Sequence, residues 1–248
     1  MHVRFISKSD FALAVLFTII IAIVSSVQMV HADPVSPLAI DVLGSSSRQY
    51  DSSSSTFVEA QGGNITNINI DAISVTKSWQ GYYGNITGSI KLDDADNNSF
   101  YVWNNATSLS GEVYASRNST VQWSNVHCLN GSERTSEETY LGQFYTDGDS
   151  ITNTYNNTLH PSFKTGSVNI TTNTCLSTNV NVNGTSQSSE FYQILLSDGA
   201  NNTIYTTLLE SKKYAYNGKL ADFQLMVGEN EHAGNAGPTS YYFFTELN

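Results

Sequence analysis

The side chains best suited to bind a metal ion cluster at Asp94, Asp96 and Asn98. Oxygen ligands at alternate positions open a calcium-binding loop, because Ca²⁺ prefers carboxylate and carbonyl oxygens. The pattern then departs from an EF-hand, since Ser99 replaces the expected glycine and Asn105 stands where the bidentate glutamate belongs. Calcium is the weaker of two hypotheses for this segment, and a solvated hairpin turn is the other.

Motifs of the common hydrolases and metalloenzymes do not occur in this sequence. It contains no HExxH pair for zinc and no GxSxG nucleophile elbow for serine catalysis. His127, His160 and His232 lack a second ligand at metal-binding spacing. A glycosidase needs two facing carboxylates, and nothing in the sequence selects a pair. We therefore expect no enzyme and no cofactor other than the calcium candidate.

The chain has two cysteines, Cys128 and Cys175. An exported protein with a single pair of thiols usually joins them. Closing a loop of this length removes denatured-state entropy worth about 4 kcal/mol in the chain-entropy model. A metal pair or a redox pair would need CxxC spacing, which is absent. The sequence therefore predicts a disulfide between Cys128 and Cys175.

Acceptor motifs for N-linked glycans are dense in this chain. A chain rich in Asn, Ser and Thr produces several by chance, and in a bacterium the pattern would be compositional noise. In a eukaryotic or archaeal host, export would bring the chain to a glycosylation machinery, and we then expect sugar on turns and outward strand faces. The ten acceptor asparagines are Asn64, Asn85, Asn97, Asn105, Asn118, Asn130, Asn156, Asn169, Asn183 and Asn201.

Residues 1–32 have the order of a secretory signal. Arg4 and Lys8 precede an apolar run from Phe11 to Val24, and Val30-His31-Ala32 supplies a small-x-small cleavage site. We expect cleavage there, a mature protein that starts at Asp33, and an extracellular or cell-surface location. The alternatives are an uncleaved membrane anchor and a pilin-type signal cut before the apolar run.

The charge balance excludes two classes of partner. Removal of the signal takes away Arg4, Lys8 and Asp10 and leaves nine basic and 21 acidic side chains, a net charge of −12. Such an acidic surface repels phosphate backbones, so we expect no nucleic acid partner. A polybasic contact with a membrane surface is excluded in the same way, which leaves membrane attachment only through an uncleaved signal.

Residues 33–63 have the composition of a flexible segment. Serine runs at Ser45 to Ser47 and Ser52 to Ser55 precede a Gly62-Gly63 pair, and such a segment cannot bury enough apolar surface to order itself. Leu38 to Leu43 is nevertheless apolar enough to form a strand if another molecule offers a sheet edge. The segment is therefore either a stalk or the carrier of a donor strand.

We expect residues 64–248 to form one β domain. Asn67 to Val75 largely alternates polar and apolar residues, the period of a half-buried strand. Asn-Gly and Asp-Gly pairs separate further strand-like runs. Thr135 to Gly142 is the one short helix expected, with Thr135 as its N-cap. The fold class is therefore all-β, an antiparallel sandwich or a barrel-like variant of one. The other runs are Gly81 to Leu92, Ser99 to Trp103, Gly111 to Ala115, Thr120 to Trp123, Ser167 to Thr171, Phe191 to Leu196, Thr203 to Leu209, Asp222 to Val227 and Tyr241 to Glu246.

Three aromatic and glycine-rich modules carry a resemblance to other proteins. They run from Trp79 to Gly88 (WQGYYGNITG), from Gly111 to Arg117 (GEVYASR) and from Tyr241 to Leu247 (YYFFTEL). The set resembles uncharacterised exported archaeal cell-surface and filament proteins. The resemblance spans Ser78 to the C-terminus, implies an archaeal surface or filament protein, and brings no catalytic residues.

Three functions are compatible with these features. The first is a secreted, N-glycosylated structural or adhesive surface protein that associates with itself or with other surface proteins, as a filament subunit would by strand donation. The second is a carbohydrate-binding module, which would show a row of exposed Tyr and Trp side chains. The third is a secreted hydrolase, which would show two facing carboxylates in a deep cleft.

Overall fold

The computed structural model describes residues 32–48, 57–70, 72–103, 110–186, 189–230 and 237–248. Antiparallel strands dominate these ranges, which confirms the all-β class. The helices are α1 (Gly131–Leu141), α2 (Ile151–Thr154) and a 3₁₀ turn at Trp123–Asn125. The strands are β1 (Trp79–Gly84), β2 (Ile90–Asp93), β3 (Ser99–Trp103), β4 (Gly111–Ser116), β5 (His127–Cys128), β6 (Phe163–Thr165), β7 (Val168–Ile170), β8 (Ser177–Thr178), β9 (Asn181–Val182), β10 (Thr185–Ser186), β11 (Gln193–Ser197), β12 (Thr203–Leu208), β13 (Lys213–Tyr214), β14 (Leu220–Ala221), β15 (Phe223–Gly228) and β16 (Tyr242–Leu247).

A six-stranded antiparallel sheet forms the centre of the domain. Its strand order is β16-β4-β12-β11-β5, and β8 pairs with the same edge of β11 as β5 does. All six residues of β4 and all five of β11 are buried. Burial of both sheet faces explains why these strands lack the polar-apolar alternation of a strand with one wet face.

Each face of the central sheet has its own cover. On one face, Val113, Leu195 and Tyr205 pack with α1 and with the β1–β15 pair, which is the second sheet of the sandwich. On the opposite face, Tyr114 and Ile194 pack with the β6–β7 hairpin and the 3₁₀ turn. The predicted antiparallel sandwich is therefore confirmed, with the hairpin as an additional layer.

A buried glutamine joins the two sheets. The Gln193 side chain on β11 donates from Nε2 to the carbonyl of Gln224 at 2.7 Å and accepts at Oε1 from the amide of Met226 at 2.9 Å. These two backbone groups belong to the edge of β15 that β1 leaves unpaired. Gln193 thus satisfies two backbone groups on the edge of β15 that faces away from β1.

The expected helix is longer than predicted. It begins at Gly131 rather than Thr135, because Asn130 is its N-cap and forms a capping box with Glu133. Its buried face carries Glu133, Glu137 and Glu138 beside Leu141. An acidic inner face leaves no apolar period of 3.6 residues, so the pattern that signals a helix was absent.

Two predicted strands do not form. Across 67–70 and 72–75 the chain has no regular structure, and Ile68, Ile70, Ile73 and Val75 are exposed. The run Thr120 to Trp123 leads into the 3₁₀ turn instead of a strand. An alternating pattern fits a strand but does not supply the neighbouring strand that the ladder needs. Gly81 to Leu92 also divides, into the end of β1 and the start of β2.

The segment before the domain is attached at its start. Pro34 is buried, and Val35 forms a bridge with Thr245 on β16. Leu38 to Leu43 follows as an exposed stretch without strand structure. The predicted signal lies almost wholly outside the described residues. Among the residues that are described, no helix is both long enough and apolar enough to cross a bilayer.

Candidate functional site

The predicted disulfide between Cys128 and Cys175 is present, with its Cα atoms 4.8 Å apart. Cys128 ends β5, and Cys175 lies in the loop that follows β7. The sulfur bridge therefore ties an edge of the central sheet to the loop after the covering hairpin. Both partners are consumed in the bridge, so neither serves as a metal ligand or a nucleophile.

A buried histidine holds the same loop. His160 accepts at Nε2 from the amides of Thr174 and Cys175, at 3.1 and 2.9 Å, and its Nδ1 lies 2.7 Å from the Pro161 carbonyl. Two amide donors at Nε2 require the neutral tautomer with its proton on Nδ1. His160 is therefore a structural residue, a role that its loop position in the sequence did not reveal.

The acceptor asparagines lie on the solvent side of the domain. Of the nine within the described residues, eight are exposed and Asn118 is half-buried, whereas Asn105 falls outside those residues. Asn97, Asn183 and Asn201 occupy turns with φ of 65°, 50° and 61°, a conformation that asparagine tolerates better than most residues. The expected placement on turns and outward faces is confirmed for the nine described sites, while their occupancy stays a prediction.

One acceptor asparagine also caps a helix. Asn130 Oδ1 accepts from the amides of Ser132 and Glu133, each at 3.0 Å. A glycan is linked through Nδ2, and capping uses Oδ1, so the two roles are chemically compatible. The sequence contains the signature of this cap, which is Asn130 followed three positions later by Glu133.

The calcium candidate is the tip of the β2–β3 hairpin. Asp94 Oδ1 accepts from the amides of Asp96 and Asn98 at 2.9 and 2.8 Å, and its Oδ2 accepts from the Asn98 side chain at 2.9 Å. These hydrogen bonds, led by the one from the Asn98 side chain, lower the pKa of Asp94. The spacing of these oxygen-bearing side chains is thus explained by the turn itself, in which the Asp94 carboxylate accepts hydrogen bonds from the turn's own amides. The geometry gives the calcium hypothesis no support.

Three buried carboxylates of α1 are fully engaged. Glu137 forms an ion pair with Arg117 and accepts from the Tyr205 hydroxyl at 3.2 Å. Glu133 accepts from Ser197 Oγ at 2.7 Å and from its own N-cap amide, and Glu138 accepts from the Thr152 amide at 2.7 Å. Each buried carboxyl group thus has local hydrogen-bond donors in place of water.

Two further glutamates face each other inside the protein. Glu112 on β4 is directly opposite Glu246 on β16, and they are 4% and 6% exposed. Glu246 Oε2 accepts from the Gly166 amide at 2.8 Å and from the Tyr114 hydroxyl at 3.3 Å. Burial, reinforced by the charge of Glu246, raises the pKa of Glu112 to about 8. This is a facing pair, but it lies beneath the β6–β7 hairpin rather than in a cleft, so it cannot meet a glycosidic bond.

A shallow surface depression lies beside α1. Its polar members are largely occupied: Gln143 bonds the backbone of Ser78 and Ile151, and Glu138 is its one carboxylate. Phe144 and Tyr145 on its rim are 69% and 73% exposed. The full lining is Arg134, Thr135, Glu138, Thr139, Gln143, Phe144, Tyr145 and Thr152. The paired carboxylates of a hydrolase are not found in it.

Other exposed aromatic side chains do not form a flat row. Tyr83 and Tyr216 meet with their ring planes at 90°, and Tyr101 and Trp103 meet at 72°. Edge-to-face pairs present ring edges as well as faces, whereas a sugar-stacking platform needs parallel faces.

Nowhere in the described ranges do three His, Cys, Asp or Glu side chains come together as a metal site would require. The chain was compared with family models, with curated proteins and with solved structures, and none of the three comparisons found a match.

Proposed function

We propose that this chain is an exported, N-glycosylated structural or adhesive protein of a cell surface, and that it works by associating with copies of itself or with other surface proteins. The observation that carries the proposal is the placement of its acceptor asparagines. None of the nine described sites is buried. The archaeal origin that the three sequence modules imply belongs to the same proposal.

Attached glycans would also raise the solubility of a chain with this composition. Only 13% of the residues are charged, while charged residues make up about a quarter of a typical domain. Exposed apolar side chains such as Phe57, Ile70 and Phe100 add to the problem. Glycans hydrate a surface without adding charge, and the disulfide suits an oxidising compartment.

Site-resolved mass spectrometry of the protein from its native source tests this proposal. We expect glycans on most of the exposed acceptor asparagines and none on Asn217, an exposed turn residue outside any acceptor motif. Asn217 is a matched control for accessibility. Unmodified asparagine at every acceptor site would overturn the glycosylated-surface proposal.

The depression beside α1 favours a carbohydrate-binding module as the second candidate. Phe144 and Tyr145 are exposed on its rim, and Arg134 Nε is buried without a hydrogen-bond partner among the described residues. Aromatic faces beside a donor are typical of sugar sites. Replacing both rings with alanine should abolish retention on a glycan array, and the Tyr214→Ala variant, which removes another exposed ring, should not.

A further inference from the structure

The outer edge of the central sheet is strand β16. One side of β16 pairs with β4 along its whole length. On its other side, Val35 is the one residue of the described chain that is bridged to it, through Val35 N to Thr245 O at 3.0 Å and Thr245 N to Val35 O at 2.8 Å. An edge with open backbone groups is a template for another strand.

Residues 33–37 form the contact with this edge, and we call them the N-terminal clip. Pro34 is buried, and Asp33 Oδ1 occupies the space that a Cβ on Gly166 would fill, 2.5 Å from that position. The antiparallel register that pairs Val35 with Thr245 places Pro37 opposite Phe243. Proline has no N–H to donate, so a complete ladder pair cannot form on the Pro37 side of the bridge. The clip is therefore a short contact that can detach without disturbing the sheet.

A long connection joins the clip to the domain. It spans residues 38–75 and ends where Thr76 Oγ1 donates to Asp149 Oδ2 at 2.5 Å. The described parts of the connection contain no helix or strand. A segment of this length could extend to about 120 Å at 3.3 Å per residue. The clip can therefore reach the β16 edge of a neighbouring copy as well as its own.

The clip and the edge share a second property, the absence of acceptor motifs. The first acceptor asparagine is Asn64 and the last is Asn201, so neither residues 33–37 nor β16 carries one. Glycans elsewhere would keep copies apart, because they are bulky and hydrated. This edge stays open to protein contact.

We propose that the N-terminal clip of one copy binds the β16 edge of the next copy, so that the Val35–Thr245 bridge forms between chains. The proposal rests on the proposed function, association between copies, and names the two surfaces that meet. The clip makes the same contacts on the β16 edge of its own chain and on that of a neighbouring chain. Exchange therefore requires only a connection long enough to reach the neighbour. Because the donor and the acceptor are different surfaces, the assembly always keeps one unused donor at one end and one unused acceptor at the other, and it grows head to tail. The donor is then the clip, and Leu38 to Leu43 is part of the connection.

Two variants of the mature chain, each with one cysteine added to the native Cys128–Cys175 pair, test this exchange. V35C and T245C are prepared separately, mixed under reduction mild enough to leave the native disulfide formed, allowed to assemble, and then oxidised. Residues that exchange both hydrogen bonds across an antiparallel ladder have Cα atoms about 5.5 Å apart, within the range of a disulfide. We expect a covalent heterodimer on non-reducing electrophoresis. The matched control pairs S36C with T245C, because the Ser36 side chain points to the opposite side of the clip, and it should give several-fold less product.

Sedimentation of the same mixture separates failure of this inference from failure of the proposed function. Assembled material without the V35C–T245C heterodimer would overturn clip exchange and leave association standing. A mixture that stays monomeric at all concentrations would overturn both clip exchange and the association between copies on which it rests. The double variant V35C/T245C in one chain gives a second readout: we expect a ladder of covalent multimers, and a monomer with an internal link in assembled material would contradict clip exchange.

Discussion

The buried pair Glu112 and Glu246 predicts that the domain loses stability as the pH rises. The two carboxyl groups lie on neighbouring strands, where Glu246 accepts from the Tyr114 hydroxyl and the Gly166 amide, and Glu112 lies 3.5 Å from the Asn248 side-chain amide. Burial and mutual repulsion favour a proton on Glu112. The Glu112→Gln variant keeps the shape of the protonated acid and removes its ionisation.

The size of the effect follows from the pKa of Glu112. Its ordinary value of 4.5 is raised to about 8 in the folded protein. Between these values the folded state binds more protons than the unfolded state, so the free energy of unfolding falls as pH rises. The free energy of unfolding falls by at most about 1.4 kcal/mol per pH unit. Its total fall between the two pKa values is at most roughly 5 kcal/mol. The stability is fully present below pH 4.5, and the loss is complete once the pH has risen above about 8.

Urea denaturation at pH 4, 6 and 9 measures this dependence. We expect Glu112→Gln to match the wild type at pH 4 and to exceed its stability by several kcal/mol at pH 9. Glu59→Gln, which changes an exposed carboxylate of the connection, should leave the wild-type curve unchanged. Parallel pH curves for Glu112→Gln and wild type would refute the reasoning, because they would mean that Glu112 is ionised in the folded state at neutral pH.

Three further predictions concern the framework. Gln193→Leu should destabilise the domain by about 2–4 kcal/mol in urea denaturation, because it leaves the Gln224 carbonyl and the Met226 amide buried and unpaired; an unchanged midpoint would contradict the role of this side chain. Replacing Cys128 and Cys175 with alanine should cost about 4 kcal/mol, and dithiothreitol should then have no further effect on thermal unfolding. Asn130→Ala should lower the free energy of unfolding by about 1 kcal/mol, because the helix cap is lost. Asn130→Asp keeps the cap and removes only the acceptor motif, so equal losses in both variants would show that the effect does not come from the cap.

The sequence predicted those parts of the fold that depend on local pattern. Ser99 to Trp103 is a strand with the predicted bounds, and the strands β4, β12, β15 and β16 lie within one or two residues of theirs. The turn before β12 is marked by residues that accept positive φ, Gly199 and Asn201. Pairing of two thiols in an exported chain likewise followed from chemistry alone.

Features that depend on distant partners could not be predicted. Helix α1 buries glutamates whose partners, Arg117 and Ser197, are far away in sequence. His160 gained its role only when the disulfide loop folded over it. Asn67 to Val75 has a largely alternating pattern but no neighbouring strand within the described chain. The register that sets Glu112 against Glu246 is likewise a property of the assembled sheet.

The central claim is that this glycosylated surface protein associates with other copies of itself. Electron microscopy of the mature protein purified from its native surface tests this claim most directly. Association between copies through the N-terminal clip predicts regular head-to-tail polymers in native material and their loss when residues 33–42 are deleted, while circular dichroism shows that the domain of the deletion variant remains folded. Native material that contains only monodisperse single particles, at concentrations that match the cell surface, would contradict it.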